Sequence, residues 1–304
     1  MRNRFTRRFF LVCVGVLFVG AFISGIFSGL HSNKHRVVNL FIQFGIAVRH
    51  GDVGEQLRDV RKQTGCQVSM LAMDYTWDDD FPYDAVQFVS KKGATPILRW
   101  APQFTEAFDE FSFKTIMDGT WDEHITRWAD RARQSEYPIA IALFADVNRE
   151  DVGVEDLESK SEEYRQAFQY VVDKFREKKA TNVVWIWQIS DDEAMVSLNA
   201  MQRFYPGDKY VDWIGLSFAY TPVDSLRHNF INVNERSVPT SNTKPVMLTI
   251  ADVNSFPEQM VWLNDGLSFA LTSSNAKALV IDVATAFPFK DVKKAFLSLP
   301  KNNP

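Results

Sequence analysis

Short apolar runs separated by amphipathic segments set the rhythm of this chain. The runs are Val38–Phe44, Val68–Met73, Thr95–Trp100, Pro138–Phe144, Asn182–Trp187, Val211–Phe218, Pro245–Ile250 and Ala278–Val283. Each has strand length, and such runs suit strands buried on both faces. Between them the spacing turns helical. Trp121–Gln134 carries Ile125, Trp128, Ala129 and Ala132 on one face, and Ser161–Lys178 carries Tyr164, Phe168, Val171, Val172 and Phe175. Further helices are expected at Val53–Thr64, Tyr83–Lys92, Glu258–Leu271 and Asp291–Leu297, and the polar stretch Asn148–Ser161 reads as a long loop. Eight strand-like runs alternating with helices over about 265 residues predict an α/β protein, a single (β/α)8 TIM barrel spanning 38–304. A doubly wound sheet has the same alternation but usually brings a glycine-rich phosphate turn. None follows the first run here.

The first residues follow another pattern. Arg2, Arg4, Arg7 and Arg8 precede an uncharged run, Phe9–Leu30. At about 22 residues it is long enough to cross a bilayer as a helix. The basic flank favours a cytoplasmic N-terminus. A cleaved signal peptide has a shorter apolar core and a small-x-small site, and no convincing site lies near Ser24–Leu30. Residues 1–37 are therefore expected to form a basic tip, an uncleaved signal anchor and a linker. That reading makes a single-pass protein of the cytoplasmic membrane with its barrel on the extracytoplasmic side.

Composition narrows the function classes. A net charge of −4 gives no nucleic-acid footprint. Aromatic residues reach 13%, with 25 Phe, enough for a large core or a sugar-stacking cleft. Of the two cysteines, Cys13 lies in the apolar run, so an internal disulfide is not expected. His50, His124 and His228 lack metal-site spacing, and Asp78–Asp80 lack that of an EF-hand. No Walker loop or G-x-S-x-G is present, so no metal or cofactor is expected.

In a parallel barrel, chemistry sits beyond the carboxyl ends of the strands. Several segments around those ends resemble glycoside hydrolase family 26, whose known members are mainly endo-β-mannanases. WDEHITRWADR (Trp121–Arg131) resembles the helix before strand four. YRQAFQYVVDKFREKKATNVVWIW (Tyr164–Trp187) resembles helix five and strand five. FYPGDKYVDWIGLSF (Phe204–Phe218) resembles the approach to strand six, and KPVMLT (Lys244–Thr249) resembles strand seven. The matches keep the family's order across most of residues 38–290. The resemblance implies a barrel with a β-glycan cleft at its carboxyl face and a retaining mechanism with two glutamates. One is an acid/base after strand four, the other a nucleophile ending strand seven. Retention needs the two carboxyl groups about 5–5.5 Å apart.

The family's Glu-Met-Asn becomes Asp146-Val147-Asn148 here, in FADVN. By resemblance Asp146 takes the acid/base position with a shorter side chain, and Asn148 takes the place of the substrate-holding asparagine. The nucleophile position is Ile250, which cannot attack an anomeric carbon. The acidic residue expected near Ser217 and the tyrosine expected near Ala219 are missing, with Tyr220 one place late. Asp252, two residues beyond Ile250, could supply a displaced carboxylate or simply cap a loop. Trp100 and Trp187 end strands three and five, where an indole face suits a pyranose or packs in the core. Arg99 reads as an inward ion pair or a cleft donor, and Asp74, Tyr75 and Trp77 as candidate cleft residues. The expectation is a membrane-anchored, hydrolase-like barrel without retaining activity. It would bind or guide a β-linked polysaccharide, with a membrane synthase or export complex for an exopolysaccharide as the partner its topology suggests. The alternative is an active endo-β-glycanase that uses Asp146 with a non-standard second group. A third reading is an interaction scaffold with no glycan cleft.

Overall fold

The computed structural model describes residues 43–48, 53–64, 68–104, 111–149, 156–191, 202–220, 224–228, 244–251, 258–259, 261–263, 265 and 276–282. Phe9–Leu30, Asp252 and Asp291–Leu297 lie outside the described residues. No helix among the described residues is long and apolar enough to cross a membrane.

Eight parallel strands close on themselves in chain order. They are β1 (Gln43–Val48), β2 (Met70–Tyr75), β3 (Thr95–Trp100), β4 (Ile139–Leu143), β5 (Val183–Ser190), β6 (Trp213–Ala219), β7 (Val246–Ala251) and β8 (Ala276–Asp282). The described helices are α1 (Val53–Thr64), α2 (Tyr83–Lys91), α3 (Phe113–Met117), α4 (Asp122–Ser135) and α5 (Ser161–Glu177). The chain therefore has the eight-stranded parallel barrel that its pattern predicts. Within the expected loop Asn148–Ser161, a short 3-10 turn at Leu157–Lys160 buries Leu157 completely.

Strand residues alternate between two environments. The small inner cluster holds Ala47, Met70, Ala72, Ile97, Ala140, Ala142, Ile186, Met247, Ala278 and Val280. The larger outer cluster takes the alternate positions and the helix stripes. Eight strands leave an interior just wide enough for side chains, so small residues dominate it. Two glycines mark its tightest points. A Cβ at Gly45 would stand 3.0 Å from both Cβ and O of Met70, and one at Gly215 would stand 2.9 Å from Cβ and Cγ of Gln188. The same crowding bears on β1, which overlaps the expected run Val38–Phe44 at Gln43 and Phe44; residues 38–42 lie outside the described residues. Pairing with β2 and β8 engages Gln43–Val48, where Gly45 and Ala47 are small enough to face inward.

Helix α4 starts with Asp122 and Glu123, which suit a helix N-terminus, and stops at Glu136 in the left-handed region (φ 60°). Helix α5 buries Tyr164, Ala167, Phe168, Val171, Val172 and Phe175 as one stripe.

Outside β3 the rings of Trp77, Trp100 and Trp128 form a stack. Trp100 lies 4.5 Å from Trp77 and 3.9 Å from Trp128, with interplanar angles of 15° and 6°. Its indole N–H donates to the Trp77 carbonyl at 3.3 Å, and that of Trp128 donates to the Asp79 carbonyl at 2.8 Å. His124 sits against this stack, and burial pushes its imidazole below the ordinary range. Both faces of Trp100 are thus covered by protein, and the residue is fully buried. Trp187 is also fully buried in the outer cluster, edge-on to Tyr205 at 5.2 Å. Neither ring offers a face to a sugar, which corrects the expectation that they line the mouth. The parity of the strand is the reason, since both fall on outward positions.

Replacing Trp100 by Ala removes the middle ring of the stack. Denaturant unfolding should show a loss of about 3–5 kcal/mol. A variant as stable as the wild type would show that the stack contributes little.

Candidate functional site

The site is built from the carboxyl ends of the strands. After β4 the chain turns sharply, and Phe144 and Asp146 both have φ of 52°. Two non-glycine residues in the left-handed region within three positions are costly, a form of strain that clusters at functional sites. The outer cluster, where the Phe144 ring packs on Phe113 and Tyr164, holds one of them. The Asp146 N–H donates to the Gln188 carbonyl at 3.1 Å and holds the other.

Asp146 is 7% exposed. Gln188 Nε2 donates to its Oδ2 at 2.9 Å and to Ser217 Oγ at 3.1 Å. Its Oδ1 is buried and finds no hydrogen-bond partner among the described residues. Burial pushes the carboxyl above the ordinary aspartate range. Arg99, the bonds from Ser217 and Gln188, and Arg149 oppose that without cancelling it.

Arg99, inward on β3, is the cation of the mouth. It donates from Nε to Asp74 Oδ1 at 2.5 Å and from Nη2 to Asp74 Oδ2 at 2.7 Å, and both its Nη atoms lie 3.4 Å from Asp282 Oδ2. Burial works against its charge, but Asp74 and Asp282 outweigh it and hold the guanidinium protonated. Both of the roles read for Arg99 are filled, because it makes the inward ion pair and also lines a cleft.

That cleft has a volume of about 320 Å³ and lies beyond β2, β3 and β4. Asp74, Tyr75, Arg99, Gln103, Asp146 and Arg149 are among its lining residues. Tyr75 is the aromatic residue among those lining it, with its ring edge-on to Trp128 at 6.3 Å. Burial, then Asp79 and Asp74, push the phenol up to about 12, so it stays protonated as a hydrogen-bond donor near neutral pH. Trp77 is fully buried in the indole stack and does not line the cleft. Among the described residues, no three His, Cys, Asp or Glu side chains are placed to hold a metal ion.

The other sequence-derived candidates fall elsewhere. Asn148 is fully buried, donating from Nδ2 to the Ser190 carbonyl at 2.8 Å and accepting from the Ser190 N–H at 2.9 Å. Its amide joins the turn to the end of β5, as a further rung of the strand would. Ile250 belongs with Val246 and Leu248 in the outer cluster, whereas Met247 faces the interior. The side chain at the expected nucleophile position therefore points away from the mouth. Thr249 and Ala251 hold the inward positions beside it, and neither carries a carboxylate. Tyr220 is half-buried beyond β6, edge-on to Trp262 at 5.7 Å, and is not among the residues lining the cleft. Asp252 lies outside the described residues.

Gln188 is the residue that sequence reasoning missed. The apolar run ended at Trp187, while β5 continues to Ser190. Carrying the two-residue alternation past Ile186 would have put Gln188 and Ser190 on the inner face.

The raised carboxyl of Asp146 has a consequence for stability. Between the ordinary aspartate pKa and the raised one, the folded state binds more protons than the unfolded state. This contribution to stability is therefore full at low pH and is lost as pH rises through the folded pKa. His124 has the opposite sign, because its depressed value makes stability fall as pH drops below about 6.5. Comparing Asp146→Asn with the wild type separates the two effects. Denaturant unfolding from pH 4 to 8 should show the variant gaining on the wild type as pH rises. A variant that loses ground instead would mean that Arg99 makes the charged carboxylate a net stabiliser.

Comparison with known proteins places this geometry. Residues 107–261 match Glycosyl hydrolase family 26. Endoglucanase H of Acetivibrio thermocellus is 26% identical over 169 residues, which cover 53% of this chain and 18% of that protein. The chain thus spans less than a fifth of that relative's length. Among solved structures, the GH26 β-mannanase BoMan26A from Bacteroides ovatus shares the fold at a TM-score of 0.64 and 16% identity, covering 87% of this chain and 89% of that one. GH26C from Muricauda sp. gives 0.65 at 15% identity, with 86% and 88% covered. With about half of its sequence matching the family and its barrel shared along most of its length, this chain belongs to Glycosyl hydrolase family 26.

Proposed function

We propose that this protein binds a β-linked polysaccharide at the carboxyl face of its barrel without the retaining chemistry of its family. The observation that carries this reading is the end of β7, where the resemblance expects a carboxylate to attack the anomeric carbon. Ile250 packs in the outer apolar cluster, and the inward positions beside it, Thr249 and Ala251, carry no carboxylate. Two further features support it. Asp146 is shorter than the expected glutamate and buried, and the Asn148 amide is committed to Ser190. What remains is a polar cleft with Tyr75 as its aromatic lining residue and with Arg99, Gln103 and Arg149 as donors toward hydroxyl groups. Mannan and glucan are the polymers named for its relatives, and a polymer of this class is the expected ligand.

The anchor belongs to the same proposal. Phe9–Leu30 would hold the barrel on the extracytoplasmic side of the cytoplasmic membrane, where a nascent exopolysaccharide emerges. A membrane synthase or export complex is the partner that this topology suits.

A second reading has one observation in its favour. A general acid works with a pKa lifted towards neutrality, and burial lifts Asp146. An endo-β-glycanase would then use Asp146 with a second group outside the usual position.

Calorimetry and reducing-sugar assays on the full chain in detergent separate these readings. Manno- or gluco-oligosaccharides should bind without being cut. Tyr75→Ala should weaken binding about tenfold, a loss of about 1.4 kcal/mol. Release of reducing ends that Asp146→Ala abolishes would establish the glycanase instead. Absence of any glycan binding would leave a scaffold.

A further inference from the structure

The mouth contains a polar group that neither the family's pattern nor the cleft accounts for. Gln188 is fully buried on the inner face of β5. A buried amide at this depth is costly unless its hydrogen bonds are used. Both of its donor protons are used, one on Asp146 and one on Ser217, while its buried Oε1 has no partner among the described residues. Its backbone carbonyl accepts from the Asp146 N–H as well. The partner residue in the β5–β6 register is Gly215, and any side chain there would collide with Gln188. The barrel thus gives up a side chain on β6 to admit an amide on β5, and that amide is spent on Asp146.

We propose that Gln188 is the positioning residue of Asp146: from β5 it fixes the turn through its carbonyl and one carboxyl oxygen through its amide, with Ser217 as the third member. The amide donates to Oδ2 at 2.9 Å while its other proton is held by Ser217, so it keeps Oδ2 turned towards β5. Oδ1, which has no hydrogen-bond partner among the described residues, becomes the oxygen that takes or releases the proton. The same bond favours the ionised form, so Gln188 opposes the burial that favours the acid. The other charged or titratable groups facing this carboxyl are Arg99 from β3, Arg149 from its own turn and Tyr164 from α5, with Asp74 and Asp282 behind Arg99.

This inference rests on Asp146 as the polar centre of the site, but its test needs no glycan. It can fail while polysaccharide binding stands, and it can hold if no glycan binds. The measurement is the titration of the Asp146 carboxyl in the full chain by infrared difference spectroscopy. The band is assigned by its loss in Asp146→Asn. Gln188→Met keeps the length of the side chain and removes both donors. The midpoint should then rise by about one pH unit or more, the size expected for losing a hydrogen bond to a charged group. Ser217→Ala should raise it by less. Gln188→Glu, which adds a like charge, should raise it further than Met does. If Gln188→Met fails to fold, the other two variants read the same quantity. An unmoved or lowered midpoint in folded variants would overturn the proposal and leave Gln188 as a core residue only.

Discussion

The mouth of this barrel depends on one buried guanidinium. Arg99 sits on the inner face of β3, bonded to Asp74 on β2 and facing Asp282 on β8. Three strands are joined through it, with Asp282 lying 183 positions beyond Arg99. A charge in such a place is tolerated only because it is paired, and removing one partner of a buried pair typically costs about 3–5 kcal/mol. Its field also reaches Asp146 across β4 and draws that carboxyl part of the way back from the burial that neutralises it. The electrostatics of the cleft therefore start from Arg99, and the proton on Asp146 is decided between Arg99 on one side and desolvation on the other.

A second constraint is the narrowness of the interior. Alanine and glycine take many of its inner positions, and the tryptophans of β3 and β5 are turned outward. That explains why the aromatic residues expected at the mouth are elsewhere. Trp100 and Trp187 stand at the ends of strands, but on the outward parity, where they pack against the helical shell. Among the residues that line the cleft, the aromatic one is Tyr75 beside Asp74. The same parity turns Ile250 away from the mouth. Thr249 and Ala251 hold the inward positions at the end of β7.

The likeness to solved GH26 structures at 15–16% identity follows from the same physics. A barrel requires a period of two in its strands and of about 3.6 in its helices, and many residues satisfy both. The fold therefore outlasts most of the sequence, while chemistry rests on a few side chains that can change independently.

Much of the architecture was legible in the chain. The apolar runs marked the strands, and the stripes Ile125–Ala132 and Tyr164–Phe175 marked α4 and α5, because burial imposes its period on local sequence. Charge and motif content set the function classes, and the FADVN and KPVMLT segments pointed to the carboxyl face. Tertiary structure decided the rest, because it depends on pairing register. Register carried β1 on to Val48 and β5 on to Ser190, and it set the parity of Trp187 and Ile250. Only closure of the barrel brought Asp146, Gln188 and Ser217 into one hydrogen-bonded group, and Asp74, Arg99 and Asp282 into another. Sequence fixes the alternation along each strand, but which residues meet across strands is a property of the closed sheet.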